Sequence, residues 1–321
     1  MRVFVAGATG ALGRRLVPQL VERGHEVIGT TRTPARAGEL RAAGAESVVL
    51  DVLDADAVTT AVTAARPDVV VHEATALAGD LDLRRFEAAF AQTNRLRTEG
   101  TDHLLAAAIA AGAVRFVAQS YAGWPSARTG GPVKTEEDPL DPDPPAALRS
   151  TLDAIRHLEA VVTGAAELTG VGLRYGGFYG PGTSLWAGGE HVEQIRKRRF
   201  PIVGDGGGVW SFIHIDDAAA ATVAAVERGE AGVYNIVDDD PAPVREWLPI
   251  LARAIDAPPP RHLPAWVGRL LAGEHMVALM TEVRGSSNAK AKRELGWEPR
   301  YSSWREGFVA VGEALRQPAA A

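Results

Sequence analysis

Gly7, Gly10 and Gly13 are the first residues of the chain whose type and spacing could do chemistry. They fall in Gly7-Ala-Thr-Gly-Ala-Leu-Gly13, between the apolar run Arg2–Ala6 and the amphipathic stretch Leu12–Arg23. A strand-to-helix turn needs glycine when a pyrophosphate must lie against its backbone, and the helix start behind it offers unpaired N–H groups to the anion. Thr9, Ala11 and Leu12 complete the expected phosphate cradle. The next strand-like run, Glu26–Thr30, leads into Thr31-Arg32-Thr33, with Arg36 a turn further on and no carboxylate. An acid at that point would bond the ribose hydroxyls of NAD and repel a 2′-phosphate, whereas arginine forks and threonine hydroxyls suit a phosphate. Thr31, Arg32 and Arg36 therefore point to NADP, with NAD as the second choice.

Composition removes other chemistries. The 321 residues include no cysteine, which excludes disulfides, thiolate metal sites and a cysteine nucleophile. His72, His157, His191 and His214 stand on different elements without metal-ligand spacing, so no metal is expected. Only Lys134, Lys197, Lys290 and Lys292 exist to do lysine chemistry. A net charge of −6 argues against a nucleic-acid partner. No window approaches ~18 uncharged apolar residues, and Met1–Gly7 is too short for a secretory signal. A cytoplasmic protein with a small-molecule substrate and no membrane association is the expectation. The run Arg196-Lys-Arg-Arg199 reads as the solvated face of a helix rather than an anion site.

The elements that must position these residues alternate. Apolar runs at Arg2–Ala6, Glu26–Thr30, Ser47–Leu50, Val69–His72 and Arg115–Ala118 are separated by helical stretches, among them Asp56–Ala65 and Thr98–Ala111. Strands apolar throughout, alternating with helices, predict an α/β fold with a doubly wound parallel sheet of Rossmann type. The Pro-, Gly- and acid-rich stretch 126–145 reads as a long loop, ordered or mobile. The chain then leaves the sheet and returns. The expected division is a dinucleotide-binding domain at 1–180, with a returning segment at about 211–239, and a smaller substrate domain from 181–210 and 240–321.

The Gly7–Gly13 loop and several further segments resemble the extended short-chain dehydrogenase/reductase family, the NAD(P)-dependent epimerases and dehydratases. Asp51-Val52-Leu-Asp is similar to the family's adenine-side pair, and Val70-Val-His-Glu-Ala74-Thr75-Ala76 to the strand that runs past the cofactor. Phe116-Val-Ala-Gln-Ser120-Tyr121 resembles the fifth strand, and Leu173-Arg-Tyr175-Gly-Gly-Phe-Tyr-Gly-Pro-Gly182 the exit loop of the sixth. Phe212-Ile-His214-Ile-Asp-Asp217 and Leu295-Gly-Trp-Glu-Pro299 are family-like as well. The resemblance implies cofactor contacts at Asp51, Val52, Ala74, Thr75, Ala76 and Tyr175, and pairing of two copies through helices of the nucleotide domain.

Three departures qualify what the resemblance implies. Family enzymes carry Tyr-x-x-x-Lys four residues ahead of a helix glutamate; counted back from Glu159, the lysine place holds Ile155 and the tyrosine place Thr151. In the fifth strand, where relatives end in small hydroxyl residues, Ser120 holds the earlier place and Tyr121 the catalytic one. Relatives read Asn-x-x-Gly-Thr, whereas Asn94 here lies three residues further from Gly100-Thr101, though it can still support the cofactor-side helix. Tyr121, with Ser120 beside it and Tyr175 after the sixth strand, is thus the candidate catalytic set. An aromatic cleft of Tyr121, Trp124, Tyr175, Phe178, Tyr179 and Trp186 is expected to suit an apolar or aromatic carbonyl or hydroxyl compound. The function implied is an NADP-dependent oxidoreductase or epimerase with a nonstandard proton donor. The alternative is a nucleotide-binding sensor or regulatory protein without chemistry.

Overall fold

A computed structural model of the chain describes residues 1–77 and 85–316; residues 317–321, the end of the expected second unit, lie outside the described residues. Seven strands form one parallel sheet: β1 (Arg2–Ala6), β2 (Glu26–Thr31), β3 (Glu46–Val49), β4 (Val69–His72), β5 (Arg115–Tyr121), β6 (Thr169–Tyr175) and β7 (Gly232–Ile236). Their order is β7-β6-β5-β4-β1-β2-β3. The chain reverses direction between β1 and β4, where the carboxyl ends of the strands splay apart and leave a crevice for a ligand.

β5 runs three residues beyond the expected Ala118. Gln119, Ser120 and Tyr121 keep the ladder by pairing with Leu173, Arg174 and Tyr175. This extension fixes which way each candidate side chain faces, because successive residues of a strand point to opposite sides.

Helices cover both faces. α1 (Gly13–Glu22) and α2 (Ala37–Ala42) lie on one side; α3 (Ala55–Ala65), α4 (Phe86–Arg95), α5 (Thr101–Ala110) and α6 (Arg149–Thr163) follow in the chain. α3 starts where Asp54 accepts the N–H of Ala57 at 3.0 Å, an ordinary acidic N-cap. Beyond α7 (Glu190–Arg196), α8 (Ile215–Arg228) returns to the α1 side, and His214 caps it by accepting the Asp216 N–H at 3.2 Å. The remaining helices are α9 (Val244–Ala254), α10 (Ala265–Ala272), α11 (Glu274–Thr281), α12 (Ala289–Leu295) and α13 (Trp304–Arg316).

Three buried clusters result. One joins Val3, Val5, Val71 and Leu173 to Leu16 of α1 and Ala221 of α8. A second joins Phe4, Val70 and Phe116 to Val62 of α3, Leu104 of α5 and Leu158 of α6. The third is separate and packs Ile202, Phe212, Trp247, Met280, Trp304 and Phe308. The stretch 126–145 is tied down. Val133–Lys134 pairs with Gly285–Ser286, Arg128 pairs with Asp141 at 2.8 Å, and Glu136 accepts the Asn235 N–H at 2.7 Å. Among the described residues no helix is long and apolar enough to cross a membrane.

Candidate active site

The phosphate loop is built from backbone. Gly7 has φ +89°, and a Cβ there would stand 2.6 Å from the Glu73 carbonyl carbon. A Cβ on Gly13 would stand 2.5 Å from the Ala8 backbone, and one on Gly10 would meet the Gly7 carbonyl at 3.1 Å. Glycine at the first and third positions therefore lets strand, loop and helix touch, while Gly10 and Ala11 remain exposed on the outer edge where an anion can approach. Leu12 is buried beneath.

Around the loop, Thr9 donates its hydroxyl to Thr31 at 3.2 Å, and Arg36 donates to the Thr9 carbonyl at 2.6 Å. Arg36 is also held by Glu39 at 2.9 Å, so part of its fork is already occupied. Arg32 is exposed at the end of β2. Asp51 accepts the Leu53 N–H at 3.0 Å, closing a turn beside the buried Val52. Ala74, Thr75 and Ala76 follow β4 half-buried, with the Ala76 N–H donated to Thr93 at 3.1 Å. These residues gather around the glycine loop at the carboxyl ends of β1, β2 and β4.

The other end of the crevice is built from side chains. Ser120 is buried and donates its hydroxyl to Glu159 of α6 at 2.6 Å; Arg174 of β6 grips the same carboxylate at 2.7 and 2.6 Å. The Ser120 hydroxyl, expected in the catalytic set, is engaged here by a buried ion pair.

Tyr121 is half-buried beside Trp124, with ring centroids 6.3 Å apart, and its hydroxyl makes no hydrogen bond among the described residues. Trp124 in turn meets Phe86, which stacks on Phe90 at 4.2 Å and meets His275 at 5.8 Å. Thr151 and Ile155 are fully buried. Asn94 reaches the former, donating to its hydroxyl at 3.1 Å. Its side chain thus joins α4 to α6, a supporting role.

Tyr175 does not face this aromatic wall. It alternates with Arg174 onto the α1/α8 side of the sheet, is 1% exposed, donates to Glu73 at 3.0 Å and lies 2.7 Å from the Thr222 hydroxyl. Burial pushes the Glu73 carboxyl up to about 8 and the Tyr175 phenol well above its ordinary value. The Tyr175 hydroxyl, expected as a proton donor, is instead engaged by Glu73 and Thr222 in the structure. The six-residue aromatic cleft is corrected as well: Tyr179 is fully buried against His214 and Phe308, at 5.2 and 5.8 Å. Phe86 and His275 join Tyr121 and Trp124 instead.

Between α4 and α5 the helix widens into a π turn over Leu96–Gly100. Arg97-Thr-Glu-Gly100-Thr101 keeps the family spacing, with arginine where relatives place asparagine. Burial lowers His72 to about 4, so its ring is neutral and Nε2–H donates to the Leu96 carbonyl at 3.0 Å. Arg97 is 4% exposed, and its Nε and Nη1 are buried without a hydrogen-bond partner. Tyr121 and Glu159 are the groups whose charge acts on it, and burial lowers its guanidinium to about 10. Burial raises the Tyr121 phenol while Arg97 opposes the rise. A cation therefore does stand near Tyr121, although α6 supplies none. Sequence reasoning missed Arg97, and the Gly100-Thr101 register was the signal that could have found it. It missed Glu73 too, a carboxylate closing the apolar run Val69–Val71.

A parallel sheet with a glycine cradle at its topological switch point and a polar, aromatic crevice beside it defines a dinucleotide-dependent enzyme of short-chain dehydrogenase type. Residues 3–237 match the NAD dependent epimerase/dehydratase family, and the chain belongs to that family. It is 47% identical over 311 residues to a 3-diazoavenalumate denitrifying reductase of a Streptomyces species, covering 96% of this chain and 99% of that one. It is 32% identical to a 2-alkyl-3-oxoalkanoate reductase of Stenotrophomonas maltophilia, over 80% of this chain and 77% of the relative. In fold it is similar to a UDP-glucose 4-epimerase of Thermotoga maritima, with TM-score 0.76, 22% identity, and coverage of 98% and 99% of the two chains. The protein is an NAD(P)-dependent oxidoreductase or epimerase of this type.

Proposed function

We propose that the enzyme is a reductase of a small apolar or aromatic compound, with NADPH as hydride source and Tyr121 as proton donor. The observation that carries this reading is the Tyr121 hydroxyl, free of hydrogen bonds among the described residues at the carboxyl end of β5, beside Trp124. When bound, the nicotinamide supplies hydride. Tyr121 then gives a proton to the atom that receives negative charge. Its raised phenol favours donating over accepting near neutral pH, which biases the enzyme toward reduction. Ser120 and Glu159 hold β5 and α6 together, and the Trp124–Phe86 wall excludes water from the reacting centre.

The phosphorylated cofactor is favoured by the exposed Arg32, at a strand end with no acid. The third buried cluster, built from the segments expected to hold the substrate, is read as the substrate-side unit. Two copies are expected to pair through helices of the nucleotide domain. The names of the Streptomyces and Stenotrophomonas relatives make a diazo group and a ketone the electrophiles to try first, both on molecules that carry a carboxylate.

The test is NADPH oxidation, followed by absorbance, against a panel of aromatic diazo compounds, aromatic ketones and 3-oxoalkanoates. Turnover of at least one class is the result expected. NADPH that binds and is consumed by none of them contradicts the reading.

A further inference from the structure

Arg97 is a buried cation that no described residue pairs. Its Nε and Nη1 lack partners, and the carboxylate that acts on it, Glu159, is already held by Ser120 and by both prongs of the Arg174 fork. A buried guanidinium left in that state is costly, and a chain that tolerates one usually uses it. The segment around it points the same way. Five of the nine buried orphan atoms among the described residues belong to Asn94, Arg97, Thr101 and Ser150, in or beside the α4–α6 region. Arg97 stands on a π turn, a widening that costs helix geometry and recurs at functional sites. His72 holds that turn open by bonding the Leu96 carbonyl.

Resting on the reductase reading above, we propose that Arg97 is a substrate-contacting residue: it binds an anionic oxygen of the substrate, a carboxylate or its like, beside Tyr121. The guanidinium is planar, permanently charged and rich in N–H donors, which suits it to a carboxylate. The substrate's apolar body lies against Trp124 and Phe86. Its charged end meets the cation of the π turn, so that its electrophilic centre is presented to Tyr121. Arg97 thereby stands in the neighbourhood that a lysine on α6 would otherwise supply with charge, and it reaches that place from the opposite helix.

The experiment titrates cinnamate and its neutral isostere cinnamamide into the NADPH-saturated protein, reading quenching of tryptophan fluorescence. Cinnamate is expected to bind at least ten-fold more tightly than the amide. Arg97→Met should erase that difference, and Arg97→Lys should keep part of it. Thermal stability supplies the second readout. A guanidinium that served only as a structural partner would lower the melting temperature when removed, whereas an unpaired one leaves it unchanged or raises it. Equal affinity for acid and amide in the wild type, or an intact preference in Arg97→Met, overturns the proposal. NADPH binding is measured first; its failure contradicts the reductase reading alone, because cinnamate and cinnamamide can then be compared on the free protein.

Discussion

The two ends of the crevice are made of different materials. At the Gly7–Gly13 end, backbone lies against backbone within 2.5 to 3.1 Å of where a Cβ would stand, and the nearby hydroxyls and Arg36 are bonded to one another. At the Tyr121 end, side chains from β5, the π turn and α6 meet, and several of their polar atoms have no partner. The first end is complete by itself and tolerates little change. The second is incomplete, and in the reading proposed above its unpaired groups serve a ligand. An enzyme family can keep the first end fixed and vary its chemistry at the second.

The largest effect is expected where backbone is tightest. Gly13→Val places carbon within 2.5 Å of the Ala8 backbone, and should abolish NADPH binding by calorimetry, a loss above ~100-fold, or prevent folding. Gly38→Ala is the matched control. A Cβ at Gly38 meets nothing within 4 Å, and this variant should bind NADPH as the wild type does. A tolerated Gly13→Val would break the contrast between the two ends.

A smaller effect is expected beneath the loop, at Glu73. Its folded carboxyl is raised to about 8 from an ordinary 4.5, so the native state holds the proton more tightly than the unfolded chain. Stability from this group is fully present below about pH 4.5, declines as pH rises toward 8, and is level above it. Asp238, raised to about 8 by burial, adds to the same window. Melting temperature measured from pH 5 to pH 9 should fall in the wild type. It should fall less in Glu73→Gln, by several degrees, since 1 kcal/mol moves a domain of this size by roughly 2 °C. Parallel curves for the two proteins would contradict the assignment.

Arg32→Ala should narrow the preference for NADPH over NADH by about five- to ten-fold, the scale of one charge-assisted hydrogen bond. Equal affinities for the two cofactors in the wild type would show that the open end of β2 does not select the phosphate. The smallest effect is expected at Thr151→Ala. Thr151 is fully buried and serves as an acceptor for Asn94, so turnover should stay within a few-fold. A loss near ~100-fold would give Thr151 the role of the family tyrosine.

The contrast between the ends also explains what could be read from the sequence. A backbone site needs glycine at fixed spacing, so Gly7, Gly10 and Gly13 announce the cradle, and apolar runs such as Val69–Val71 announce the parallel sheet. The side-chain end depends on which face a strand residue takes and on how a helix is wound. The Tyr175 hydroxyl is taken up by Glu73 and Thr222, partners 102 and 47 positions away. Ser120 is captured by Glu159, a partner 39 positions away. Arg97 is overlooked when Asn94 is read as the family asparagine, whereas the Gly100-Thr101 register points to Arg97 in the asparagine place. Long-range pairing and a local widening of a helix carry no periodic signal, so the side-chain end is less legible than the cradle.

The central claim is that Tyr121 delivers the proton. Tyr121→Phe removes one hydroxyl and keeps the ring against Trp124. The decisive measurement is the single-turnover rate of NADPH oxidation by this variant and the wild type, with the best substrate from the panel. The rate should drop by ~100-fold or more, the scale of a lost general acid, while NADPH affinity is unchanged. Reduction at near wild-type rate would make Tyr121 a wall of the pocket and contradict the account.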